Sequence, residues 1–173
     1  TILLEMFKKL FLAALVAAPL CMNAQKFGVV NTSEIFNVMP EKATAENTLK
    51  TAADKYETEF KNLQTAFQKK AEDYEAQAKD DKTPQAIKDR HMQELQEEYQ
   101  KIQNFQQTAA QDLEKQQQQL LAPIQTKLQQ AIQAVGAEGG YTFIYDLATP
   151  SILYHGTGAE DISAKVKAKL GIK

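Results

Sequence analysis

Cysteine is almost missing from this chain: Cys21 is the one thiol in 173 residues, and there is no tryptophan. Cys21 falls in an N-terminal stretch that reads as removable, so the remainder has no disulfide, thiolate nucleophile or soft metal ligand. Its stability must come from packing. Histidine is nearly as scarce. His91 and His155 lie on different predicted elements, neither at a ligand spacing, and both read as solvated. Asp80 and Asp81 stand between Lys79 and Lys82 without the further carboxylates that a calcium loop spaces along itself. Gly156-Thr157-Gly158 lacks the lysine and the wider glycine spacing of a phosphate loop. With no acid–base pair or cofactor motif left over, the sequence reads as a non-enzyme that carries no cofactor and no metal. An excess of positive charge is lacking too. Lys and Arg number 20 against 22 Asp and Glu, which gives no basic patch to release phosphate counterions and excludes nucleic acid as a partner.

Long hydrophobic runs are limited to one. Lys8 and Lys9 precede an apolar stretch from Leu10 to Leu20, followed by Cys21-Met22-Asn23-Ala24-Gln25, the pattern of a signal peptide with its cleavage point near Ala24. The run is shorter than the roughly 20 apolar residues needed to span a bilayer, and Pro19 interrupts it. Secretion is therefore expected, not anchoring. Met6 reads as the initiator, with Thr1 to Glu5 a leader remnant. Lipid attachment at Cys21 is disfavoured, because Leu20 stands where a small residue is wanted.

What the chain does have is two polar, glutamine-rich stretches over 45–122. In the first, Leu49, Ala53, Tyr56, Phe60, Leu63 and Phe67 follow at steps of four and three, the apolar seam of a helix with a partner. Ala71, Tyr74 and Ala78 continue it after a stutter. In the second, Met92, Leu95, Tyr99, Ile102, Ala109, Leu113 and Leu120 share one frame, with Gln106 and Gln116 at seam positions. Lys79-Asp80-Asp81-Lys82-Thr83-Pro84 joins the two, Thr83 as N-cap and Pro84 at the first helical position. At about 1.5 Å per residue both helices run on the order of 50 to 60 Å, so they end level as an antiparallel hairpin. Gln116 to Gln119 reads as a solvated helix face.

The flanks predict a small base. Lys26 to Asn31 is a short strand, Asn31 or Thr32 caps a helical turn carrying Ile35, Phe36 and Met39, and Pro40 opens the first arm. Past the second arm a denser apolar face runs through Ile124, Leu128, Ile132 and Val135, with Pro123 inside it, so a kink is expected there. Gly136 and Gly139-Gly140 end that helix. Tyr141 to Asp146 and Ser151 to His155 read as strands of one hairpin, and Ile162, Val166 and Leu170 as the face of a short last helix capped by Thr157 or Asp161 and stopped by Gly171. The fold class is thus α+β and predominantly α: a long antiparallel coiled-coil hairpin arm on a small β-containing oligomerisation base. So few strands cannot satisfy their own edges, which predicts association of copies through the base.

The order of these parts resembles the Skp/OmpH family of periplasmic chaperones. Phe27-Gly28-Val29-Val30-Asn31 running into Met39-Pro40-Glu41, then Leu121-Ala122-Pro123-Ile124 and Glu138-Gly139-Gly140-Tyr141-Thr142-Phe143-Ile144-Tyr145-Asp146, carry the resemblance over residues 25–173. It implies a periplasmic homotrimer whose arms enclose a cavity and hold unfolded outer-membrane proteins without ATP. Residues 1–24 are then signal peptide and leader, 25–44 with 123–173 the base, and 45–122 the arm. Apolar residues that leave the predicted seam, Ile87, Phe105 and Leu121, are the expected client contacts, and Pro123 the expected hinge. The tip departs from the basic members, which the resemblance expects to turn positive arm tips toward lipopolysaccharide and anionic lipid. Lys79-Asp80-Asp81-Lys82 carries no net charge and gives such binding no support. The rival reading from another class is a coiled-coil envelope spacer with no client.

Overall fold

The computed structural model describes residues 25–172; the predicted signal peptide, with Met6, Cys21 and the Ala24 cleavage point, lies outside the described residues. In chain order the elements are β1 (Phe27–Val30), α1 (Thr32–Val38), α2 (Pro40–Ala78), α3 (Gln85–Gly139), β2 (Phe143–Asp146), β3 (Ala159–Asp161) and α4 (Ser163–Lys169). The fold is predominantly helical with one small sheet, as the residue pattern predicts. Among the described residues no helix is long and apolar enough to cross a membrane.

Local chemistry sets most of the boundaries. The Asn31 side chain accepts the Glu34 N–H at 3.0 Å and starts α1, while Pro40 opens α2 at a position where its missing donor costs nothing. Gly140, at φ 65°, stops α3 in the left-handed region where a glycine carries no Cβ penalty. Gly136, expected to help end that helix, lies inside it. The arm junction differs by one residue from expectation. Helix α3 begins at Gln85, and the Thr83 hydroxyl turns back toward Asp80 instead of capping it. The turn is made by Asp80, which accepts the Lys82 N–H on its carboxylate at 3.0 Å and the Thr83 N–H on its carbonyl at 3.1 Å.

The sheet corrects a second expectation. Its order is β2-β1-β3 with both pairings parallel, Val29 lying beside Tyr145 on one side and Asp161 on the other. Ser151 to His155 forms no strand and no hairpin. A two-residue turn joins only antiparallel neighbours, whereas parallel strands need a crossover. Between β1 and β2 that crossover is the whole helical hairpin, and between β2 and β3 it is the loop 147–158.

The core sits where the root of α3 crosses this sheet. Val30, Ile35, Met39, Ala45, Ile124, Leu128, Ala131, Val135, Ile162 and Val166 form one buried cluster, with Leu120, Leu121, Tyr141 and Ile144 packed against it. Gly28 is glycine because of this crowding: a Cβ there would stand 3.2 Å from Tyr141, 3.3 Å from Ile144 and 3.4 Å from Ile162. Polar ties close the rim. Thr32 donates its N–H and its hydroxyl to Asp146 at 3.1 and 2.5 Å. Lys26, Tyr141 and Lys165 converge on Glu160, whose carboxyl is held down at about 2 by Lys165 first, then Tyr141 and Lys26.

Candidate functional site

Away from the base, α2 and α3 are the only described elements, and they pair antiparallel. Successive cross-contacts run from Lys127 with Glu41 near the root, through Tyr56 with Asp112 and Phe67 with Tyr99, to Tyr74 with His91 near the tip. The α2 seam is the predicted one: Leu49, Ala53, Tyr56, Phe60, Leu63, Phe67, Ala71 and Tyr74 are all half-buried, and Ala78 is exposed. Lys70 and Ala71 are both half-buried, so the seam broadens where the sequence stutters.

The α3 seam differs from the expected frame. His91, Leu95, Glu98, Ile102, Phe105, Ala109, Asp112 and Gln116 are half-buried or buried in an unbroken alternation of four and three, and Glu94, Leu113 and Leu120 beside that line are half-buried too. Leu95, Ile102, Ala109 and Gln116 match the expected frame. Leu113 and Leu120 are half-buried, as expected, whereas three members are displaced by one residue: Met92 is 73% exposed and Tyr99 and Gln106 are also exposed, while His91, Glu98 and Phe105 take the seam. Polar residues fill it because α2 offers tyrosines and a lysine to satisfy them. The Tyr56 hydroxyl donates to Asp112 at 2.7 Å, and Gln116 donates to the same carboxylate oxygen. Those two bonds, Tyr56 first, hold the Asp112 carboxyl below its ordinary range, and Asp112 in turn raises Tyr56. Tyr74 donates to Glu94, lowering that carboxyl, and Lys70 bridges Glu94 and Glu98 at 3.8 and 3.6 Å.

His91 corrects the expectation of a solvated histidine. It is 7% exposed, the only polar side chain buried among the described residues, and its ring lies 3.8 Å above Tyr74 at an interplanar angle of 8°. His155 is exposed, as expected. A hairpin folded about residues 82–83 sets each position against its mirror image, which places roughly 56 opposite 109–112 and 74 opposite 91–94. That reflection, joined to the need of a seam tyrosine for an acceptor, is the signal that would have found both pairs.

The expected contact residues fall in three environments. Ile87 is in the first turn of α3 beside the tip and exposed. Phe105 is half-buried in the seam, meeting the Tyr56 ring edge-on at 6.0 Å. Leu121 is half-buried against the base core. Pro123 is exposed within α3, which runs through it unbroken, and it lines a 350 Å³ groove with Ala45, Leu120 and Ile124. Next to it the Thr126 hydroxyl donates to the Ala122 carbonyl at 3.0 Å. No group of three or more His, Cys, Asp or Glu side chains converges as a metal site among the described residues.

This architecture, a two-helix arm rooted in a parallel three-stranded sheet, has relatives. The family profile described as "Outer membrane protein (OmpH-like)" matches residues 26–170. The chain belongs to the OmpH-like family. Among solved structures, a candidate outer membrane chaperone (OmpH-like) from Caulobacter crescentus CB15 superimposes with a TM-score of 0.73 at 18% identity. The match covers 84% of this chain and 83% of that one, so the OmpH-like fold is shared over nearly the whole molecule. No curated protein gives a significant match.

Proposed function

We propose that the protein is an ATP-independent holdase chaperone of the periplasm, which keeps unfolded outer-membrane proteins from aggregating in a cavity between helical arms. Membership of the OmpH-like family and likeness to the Caulobacter protein, described as a candidate outer membrane chaperone, support a chaperone over a spacer. The observation that carries the mechanism is the hairpin surface. It offers shallow grooves and scattered apolar side chains, Ile87, Met92 and Tyr99 among them, on an otherwise solvated pair of helices. Many weak contacts of this kind hold a chain without fixing it in one conformation. In the seam and at the root, Phe105 and Leu121 add apolar surface that a client reaches when the arm moves. Pro123 is the proposed hinge of that movement, since it cannot donate to the Gln119 carbonyl.

The division of labour follows: 25–44 with 123–173 form the base, and 45–122 the arm. The base is proposed to associate into a homo-oligomer, a trimer by family resemblance. Both outer strands leave an edge open, Phe27, Phe143 and Tyr145 stack at 6.1 to 6.5 Å on a partly exposed face, and Leu153 and Tyr154 protrude into solvent. Exposed apolar edges of this kind are interfaces or liabilities. Several arms on one base then raise the effective concentration of weak sites around a client.

The test is aggregation of an urea-unfolded outer-membrane barrel diluted into buffer, followed by light scattering. Stoichiometric amounts of the protein should suppress it with no nucleotide present. Scattering that is unchanged at threefold excess would favour the spacer.

A further inference from the structure

The hairpin is stitched in two zones with a weaker layer between them. Toward the base, Ala45 is buried in one cluster with Ile124. Toward the tip, Phe67 meets Tyr99 and Tyr74 stacks on His91, with the edge-on Tyr56 and Phe105 pair marking the border. Between these zones α2 contributes Ala52 and Ala53 to the seam, and α3 contributes Asp112 and Gln116. Leu49 and Leu113 are the large apolar side chains of this stretch, and each is only half-buried. A groove of 570 Å³, larger than those at the root, opens at the same level, lined by Thr48, Ala52, Tyr56 and Gln116.

We propose that α2 and α3 part at this layer, so that the hairpin opens locally between Leu49 and Tyr56 while the aromatic zone beyond moves as one stiff piece. Opening here loses less than opening at the Phe67 and Tyr74 layers, where stacked or tilted rings would part. Alanine methyls bury little apolar area, and water replaces the bonds that Tyr56 and Gln116 make to Asp112. The carboxylate also regains hydration that a half-buried seam position denies it. Local opening is drawn from the segments with fewest apolar contacts, and this is such a segment inside an otherwise continuous seam. The device differs from a swing at Pro123, which would move both helices of the arm together; this one separates them.

Hydrogen exchange read by mass spectrometry on the full-length, client-free protein tests it. Amides in 47–56 and 110–118 should exchange at least tenfold faster than those in 60–70 and 95–105. In the double variant Asp112→Leu with Gln116→Leu the layer becomes apolar, and the contrast should fall below threefold. Asp112→Asn, which keeps an acceptor for the Tyr56 hydroxyl, should preserve the fast window. Uniform protection along the wild-type hairpin would overturn the proposal, as would a fast window that persists in the double variant. Should that variant fail to fold, the wild-type profile decides alone. Aggregation suppression plays no part in the readout, so the holdase reading can fail while this one stands, and the reverse.

Discussion

Replacing Leu153 and Tyr154 together by aspartate separates the free subunit from the proposed oligomer. Within one subunit the two side chains are 96% and 86% exposed, so they bury almost nothing and their loss should change the stability of an isolated subunit by less than about 0.5 kcal/mol. In an oligomer built through this face both become buried. Full burial of a side chain of this size contributes about 1.5 to 3 kcal/mol, or about 3 to 6 kcal/mol for the pair at each interface. At 1.4 kcal/mol per decade that weakens association by about a hundredfold to ten-thousandfold, before counting the cost of burying new carboxylates. Sedimentation velocity from 0.1 to 100 μM measures it directly, on the order of three decades of concentration, which covers the roughly two decades of the lower bound. The variant should dissociate within that range while its far-ultraviolet circular dichroism stays helical. An oligomer that survives unchanged would refute the reasoning, because the face would then be free in the assembly. A variant that loses helix as a monomer would refute it differently, by showing that the loop packs within its own subunit.

Three further outcomes are expected. Glu160→Gln should lower the thermal midpoint at pH 7. The Glu160 carboxyl is depressed to about 2, so its contribution is present above about 4.5 and lost as pH falls through about 2, and the gap between wild type and variant should close over that window in pH-dependent melts. Gly139→Ala should destabilise the base by about 1 to 3 kcal/mol in urea, since its Cβ would stand 2.3 Å from a Tyr141 ring carbon and push the hydroxyl off Glu160. Pro123→Ala restores a donor to the Gln119 carbonyl and shifts local helix preference by roughly 3 kcal/mol. Spin-label distances between arm tips at Asp81 should narrow without change in oligomer size; an unchanged distribution would place the hinge elsewhere.

The base was legible wherever one residue answers one backbone requirement. Asn31 as a cap, Pro40 as a helix opener, Gly140 as a stop and the 162/166/170 spacing of α4 each follow from a local rule, and the structure bears out each. Ser151 to His155 reads as a strand because Ile152-Leu153-Tyr154 is a short apolar run behind the Thr149-Pro150 turn signal, yet a strand exists only where a partner's backbone is available. Within one subunit β1 is flanked on both sides by parallel neighbours, and Ser151 to His155 joins neither outer edge of the sheet. Strand propensity reports a pleated, half-buried fit, and here the burying surface is absent from the chain's own fold. The parallel pairing itself was hidden, since short strands with no helix between β2 and β3 suggest a hairpin more readily than a crossover.

In the arm, helix existence and α2's seam were legible, while α3's seam was half legible, for a physical reason. Counting apolar residues finds Met92 and Tyr99, but what fixes the frame is that α2 presents Tyr56, Lys70 and Tyr74, whose polar ends need acceptors across the seam. Asp112, Glu94 and Glu98 supply them, and His91 supplies a flat partner for Tyr74. Such bonds, half-exposed to competing water, net less than the burial of a leucine, which contributes about 1.5 to 3 kcal/mol when complete. A seam built this way holds two helices in register without the cohesion of a leucine zipper. Its weaker hold has a consequence for the surface as well as for the seam: apolar side chains such as Met92 are left outside, available for the client contacts proposed above. The dense apolar cluster at the root of α3 then carries the stability that the arm forgoes, so substitutions should divide by place in thermal melts, those at Ile124 or Val135 unfolding the base and those at Met92 or Ile87 leaving the midpoint unchanged and altering only the proposed client binding.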